Sequence, residues 1–254
     1  MIKIWYSFIA LIFLVSCSCQ NTSKTTAVIV SDEELVDQVQ KDAIKYFWDY
    51  AEPNSKLGRE RYHTDNPYFE AKKVTTGGSG FGLMSLIVGV ERGFIPREEA
   101  VSRMTIAMDF LGKADRFHGA WAHWMDGSTG RAISFGNKDD GGDIVETAFL
   151  CQGLIAVREY FKNGNEQEKA LSDKADNLWK GVEWSWYTNG ENAMYWHWSP
   201  TYQWEMKFKL EGYNECLIAY ILGASSPTYP IQAAAYHEGW ARSGTIVTEK
   251  KQYE

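Results

Sequence analysis

Phe81-Gly82-Leu83-Met84-Ser85-Leu86-Ile87-Val88-Gly89-Val90 is apolar on nearly every side. A surface helix keeps a polar face, so a run of this kind predicts a helix buried all round. Gly77 to Gly82 leads into it and reads as a turn where backbone packs closely. Gly93 suits its C-terminal stop. Upstream, Ser31-Asp32-Glu33-Glu34 has the spacing of a capping box and opens a helix toward Pro53. Leu35, Val39, Ile44, Phe47 and Trp48 follow at near-helical period. Downstream, Pro96 with Glu98 and Glu99 starts a helix to about Leu111. Further helices are predicted at about 143–161, 167–181, 213–222 and 231–241.

Two stretches break the helical pattern. Trp121, His123 and Met125 alternate with Ala122 and Trp124, and Asp126-Gly127-Ser128-Thr129-Gly130 then turns the chain, which predicts a β-hairpin. Residues 193–208 alternate again and predict a second, irregular hairpin. About seven helices with hairpin excursions, and no fixed sequence repeat, argue for an all-α toroid rather than a solenoid. A closed ring needs more helices, so the ring is open or the chain is the N-terminal part of a longer domain. The second is the expectation.

The chain has 254 residues, a net charge of −7 with acids and bases mixed, and 15% aromatic residues including 11 Trp. It carries no basic patch, which argues against a nucleic-acid partner. Lys3 and the apolar run from Ile4 to Val15 form a signal h-region, too short for a spanning helix. Leu14-Val15-Ser16-Cys17 reads as a lipobox with Cys17 acylated. Residues 1–19 are thus the expected signal, 20–30 a tether, and 31–254 one domain. The expected location is the periplasm or outer membrane, reached through a lipid anchor. Cys151 and Cys216 sit in apolar runs and are expected as buried free thiols, although export permits a disulfide.

Three acids have unusual settings. Asp143 and Glu146 lie in Gly141-Gly142-Asp143-Ile144-Val145-Glu146-Thr147. Glu215 lies in Gly212-Tyr213-Asn214-Glu215-Cys216-Leu217. Asp143 and Glu146 share a helix face and can push their pKa values apart, as a general base requires. The same pattern is also a capping box, with Glu146 reaching back to Asp143. Glu215 is expected one turn into an apolar helix, where desolvation raises its pKa as a general acid requires, or where Arg92 or Arg158 pairs with it. Trp184, Trp186, Trp196, Trp198, Trp204 and Trp240 cluster in the last third. Indole faces hold sugar rings, but a Trp-rich core produces the same composition. Trp196 and Trp198 are expected on one face and His197 on the other. His118 and His123 point to opposite faces and make a poor metal site. Asp139, Asp140 and Asp143 read as a solvated acidic loop rather than a calcium site. No cofactor or metal is expected.

These segments, in this order, resemble glycoside hydrolase family 144. The resemblance is carried by Thr76-Gly77-Gly78-Ser79-Gly80-Phe81-Gly82-Leu83, Glu91-Arg92-Gly93, Thr129-Gly130-Arg131, Asp143-Ile144-Val145-Glu146-Thr147-Ala148, Trp204, Gly212-Tyr213-Asn214-Glu215 and Ser226-Pro227-Thr228-Tyr229-Pro230. It covers roughly residues 32–244. Tyr229 departs from it, standing where the family commonly has histidine. The resemblance implies an (α/α)6 barrel and inverting hydrolysis of β-1,2-glucan by an endo-acting enzyme; separately, a monomer is expected. It places the general acid at Glu215 and water activation at Asp143 or Glu146. Trp121, Trp196, Trp198, Trp204, Tyr213 and Trp240 are the expected sugar-binding residues. An exo-acting glucosidase and a non-catalytic glycan-binding lipoprotein remain the competing expectations.

Overall fold

The computed structural model describes residues 30–245. The signal segment, Cys17 and nearly all of the tether lie outside the described residues.

Six helices form two layers among the described residues. The helices are α1 (Asp32–Trp48), α2 (Thr76–Glu91), α3 (Arg97–Leu111), α4 (Ile144–Phe161), α5 (Glu166–Lys180) and α6 (Leu217–Ser225). Helix α4 packs between α2 and α6, and these three make the inner layer. Helix α1 covers α2, α5 covers α4, and α3 lies against α5 on the outside. The all-α fold with short β excursions expected from the sequence is therefore present. Strands β1 (Lys73–Thr75), β2 (Trp124–Asp126) and β3 (Ala132–Ile133) form one antiparallel sheet. Strands β4 (Gly142–Asp143) and β5 (His197–Trp198) form another.

The local chemistry explains most boundaries. Ser31 caps α1 and Glu34 reaches back to it, closing the predicted capping box. Of the α1 apolar stripe only Ile44 is buried; Leu35 and Val39 are exposed. Gly93 takes φ +66° just beyond α2, a conformation that suits glycine.

Three expectations need correction. The glycines of 77–82 are not a turn but the first turns of α2. They let the inner helices touch backbone to backbone: a Cβ on Gly80 would stand 2.1 Å from the Phe149 carbonyl oxygen, and one on Gly153 would stand 2.4 Å from that of Gly80. This close approach outweighs a helix penalty of about 1 kcal/mol per glycine. Helix α6 begins at Leu217, not Tyr213. Gly212 at φ +81° and an Asn214 side chain that accepts the Cys216 N–H hold residues 212–216 in turns instead. The expected last helix is a short π-helical turn, Ala235–Trp240.

Candidate active site

Asp143 ends β4 and caps α4 at the inner layer. Its Oδ1 accepts from the Val145 N–H at 3.0 Å and the Glu146 N–H at 2.9 Å. Its Oδ2 accepts from Trp196 Nε1 at 3.0 Å and lies 3.0 Å from His123 Nδ1. The residue is wholly buried, and these four partners fill its acceptor sites. Capping is therefore real, but the reciprocal half of the box is not. The Asp143 N–H goes to the Trp121 carbonyl, and Glu146 turns elsewhere.

Glu146 turns toward the start of α2. Its Oε2 accepts the Gly77 N–H at 2.8 Å, and the Thr75 side chain also bonds to it. A Cβ on Gly77 would sit 2.5 Å from that oxygen, so glycine makes the room. Burial and the neighbouring Asp143 charge push the Glu146 carboxyl above its ordinary range, against the opposing pull of His123, Gly77 and Thr75. A raised carboxyl is a stronger base than an ordinary one, which suits it to take a proton.

His123 joins these acids. Burial lowers its pKa, but the Asp143 hydrogen bond and the charges of Asp143, Glu146 and Asp139 outweigh it and hold the imidazole above its usual value. The Phe135 ring packs 4.0 Å from it. On the other side Trp196 stacks on Phe208 at 5.2 Å with the rings 2° from parallel. Between them opens a cavity of about 480 Å³ lined by His123, Phe135, Asp139, Trp196, Met206 and Phe208. Its surface is mostly apolar, with His123, Asn137, Lys138 and Asp139 as the polar residues around it, a combination that suits a sugar ring and its hydroxyls. A larger hollow of about 750 Å³ is lined by α1 and the α2–α3 connection; the smaller cavity is the one walled by the Asp143 partners His123 and Trp196.

The remaining expected residues divide. Trp198 and Trp204 belong to an aromatic cluster with Trp186, and His118 stacks on Trp186 at 3.6 Å. Trp121 is wholly buried, with its indole N–H on the Leu111 carbonyl and Arg116 over its ring, so it has no face for a sugar. Trp240 is likewise packed in the core against Tyr220. Both are corrections: the core, not a ligand, explains them. Glu215 is exposed in the turn before α6, so the buried setting expected for it is absent. The ion pair offered as its alternative is absent too, because Arg92 pairs with Asp37 and Arg158 with Glu159 and Asp176. Tyr213 is exposed beside it. One link ties this turn to the other acids. Burial, with the charges of Glu215 and Asp143, pushes the Cys216 thiol up to about 12. Cys151 and Cys216 are buried free thiols.

The acidic loop is not solvated as expected. Asp140 accepts from the Ser199 and Thr201 hydroxyls, and Asp139 lies 3.1 Å from His197 Nε2. Among the described residues no three His, Cys, Asp or Glu side chains gather as metal ligands. Sequence reasoning missed His123, Asp139 and His197 as site members. The alternation around the two histidines marked their strands, but nothing local marked which face met an acid.

Comparison with known proteins fits this geometry. A family model described as "Putative glucoamylase" matches residues 207–254. The chain is 57% identical to an endo-β-1,2-glucanase from Chitinophaga pinensis, solved with sophorotriose and glucose, with a TM-score of 0.84 over 85% of this chain and 52% of that one. A β-1,2-glucanase structure from Parabacteroides distasonis is 46% identical, with a TM-score of 0.80 over 87% of this chain and 32% of that one. An exo β-1,2-glucooligosaccharide sophorohydrolase from the same species is 47% identical over 223 residues, 87% of this chain and 30% of that protein. The chain thus spans a third to a half of the length of these relatives, and the relatives are β-1,2-glucan hydrolases.

Proposed function

We propose that this chain contributes the acid-bearing half of an endo-acting hydrolase of β-1,2-glucan. The observation that carries the reading is the pairing of buried Asp143 with His123 and Trp196, two residues of an apolar cavity wall, with Glu146 one helical turn beyond Asp143, in a chain 57% identical to an endo-β-1,2-glucanase. In this reading Glu146 takes a proton from the attacking water, and Asp143 holds His123 and Trp196 in place. Glu215, on the turn before α6, gives a proton to the leaving oxygen. Single displacement requires the two carboxyls to stand roughly 6.5–9.5 Å apart, with the water between base and sugar. Trp196 and Phe208 supply the apolar face for a glucosyl ring.

The test uses the longest natural form of the protein and linear β-1,2-glucan. Glu146→Gln and Glu215→Gln should each cut reducing-sugar release by about 10²–10⁴-fold. An aryl β-sophoroside with a nitrophenol leaving group separates the roles, because that group departs without a proton. Glu215→Gln should recover most activity on it, and Glu146→Gln should not. Equal activity of wild type and both variants on glucan removes both residues from the chemistry.

The identity to the sophorohydrolase supports a second reading, exo release of disaccharide. Early products decide: a spread of oligosaccharides favours endo cleavage, sophorose alone favours exo. For location, we propose a lipid on Cys17 and a periplasmic or outer-membrane site, supported by the lipobox pattern. Metabolic labelling with palmitate that disappears in Cys17→Ala would bear this out.

A further inference from the structure

The His197–Asp139 pair lies on the far side of β5 from Trp196 and takes no part in the chemistry above. His197 is buried, and its Nε2 accepts the Gly141 N–H at 3.1 Å. The same nitrogen lies 3.1 Å from Asp139 Oδ1, while Nδ1 has no partner among the described residues. An imidazole nitrogen has one lone pair in the ring plane. If Nε2 carried a proton, that N–H would confront the Gly141 N–H. If Nε2 is bare and Asp139 ionised, two acceptors confront each other. One arrangement pairs every group at Nε2: a neutral imidazole with its proton on Nδ1, and an Asp139 carboxylic acid that shares the Nε2 lone pair with the Gly141 N–H; its cost is a buried Nδ1–H with no partner among the described residues.

We propose that His197 is a positioning residue that holds Asp139 on the cavity wall as an uncharged acid, with its other oxygen free to accept from a sugar hydroxyl. The surroundings favour this. Asp139 faces Asp143 and Asp140 as well as His197 and His123, and burial pushes its carboxyl up. His197 faces Asp139, Asp143 and Asp140, yet burial holds it below its usual value. Lys138, the nearest cation in sequence, pairs with Glu205 instead. A third negative charge beside Asp143 and Glu146 would repel both. The same histidine also anchors the loop: Gly141 hangs on its Nε2, and the Asp140 bonds to Ser199 and Thr201 bind the next residues to the same segment. Phe135, at the loop's start, accepts nothing from this segment but is bonded through its N–H to the Asp139 carbonyl, so the cavity's aromatic wall is set by the same anchor.

The sugar-accepting role rests on the hydrolase reading; the proton arrangement does not, and the two are tested apart. Long-range ¹H–¹⁵N spectra of the His197 ring, assigned by its loss in His197→Gln, should show the neutral Nδ1–H form throughout pH 5–8. Asp139→Asn, whose amide can donate as the acid does, should keep that form. An imidazolium or an Nε2–H form near neutral pH overturns the proposal. In the glucan assay, His197→Gln should raise KM about tenfold with kcat within about threefold, because ground-state binding is lost. A fall in kcat alone, at unchanged KM, overturns the binding role. Absence of glucan hydrolysis by the parent protein would count against the proposed function while the spectra still judge the pair.

Discussion

The segments 141–147 and 212–217 carry the same chemistry in opposite settings. In the first, two acids are held by a helix start, a strand end and a glycine-bearing helix that gives up its backbone N–H. In the second, Glu215 stands exposed on a turn braced mainly by the Asn214 side chain. The difference teaches that a carboxylate's neighbours in sequence do not set its solvation. Ile144 and Val145 flank a buried acid, and Cys216 and Leu217 flank an exposed one. What separates them is which partners arrive from elsewhere. Asp143 receives His123 and Trp196, and Glu146 receives Gly77.

Four experiments would break or sharpen this contrast. The largest effect is expected from Asp143→Ala. It removes an N-cap worth about 1 kcal/mol and leaves buried donors on Trp196 and His123 at about 1–3 kcal/mol each, so urea unfolding should show a loss of about 3–7 kcal/mol. Glu215→Ala should change stability by less than about 0.5 kcal/mol, as exposed sites do. Equal losses would erase the distinction. Next comes the pairing of Glu146 with α2. Gly77→Ala places a methyl against the carboxylate, and a loss of about 2–3 kcal/mol is expected in the same unfolding assay. A neutral result would mean that Glu146 moves aside freely.

Trp196→Phe keeps a ring over Phe208 but deletes the N–H to Asp143. It should cost about 1–2 kcal/mol and redshift nothing else in the fluorescence of the remaining indoles, since the wall of the cavity persists. The smallest effect concerns pH. The Glu146 carboxyl is raised in the folded chain, so the fold binds its proton more tightly than the unfolded chain does. Its contribution to stability is therefore present at low pH and lost as pH rises through the folded pKa. Glu146→Gln should gain on wild type as pH rises through the folded Glu146 pKa, measured by urea midpoints at each pH. A gap that narrows over that rise would reverse the sign and deny the raised pKa.

Much of this protein was legible without coordinates. Ser31 and Glu34 announce α1, and Asp143 announces the start of α4, because a capping side chain acts on N–H groups two or three residues away. The all-round apolar character of α2 announces an inner helix, because such a surface has no stable contact with water. The hairpin around Asp126–Gly130 is likewise local chemistry: Asp126 itself accepts the Ser128 and Thr129 N–H groups. Trp121 and Trp240, in contrast, were misread as sugar platforms. Alternation and composition report that a face is apolar but not whether protein or ligand covers it.

Sequence alone determined the helix order, the caps, the hairpins and the presence of paired acids, since each depends on neighbours within one or two turns. Tertiary structure alone decided that His123 meets Asp143, that Glu146 reaches Gly77, that His197 meets Asp139 and that Glu215 stays exposed. Those outcomes depend on groups up to 69 residues apart in the chain, brought together only when α2 and α4 close on their glycines. Short-range chemistry cannot specify them, because hydrogen-bond geometry and desolvation are properties of the assembled surfaces.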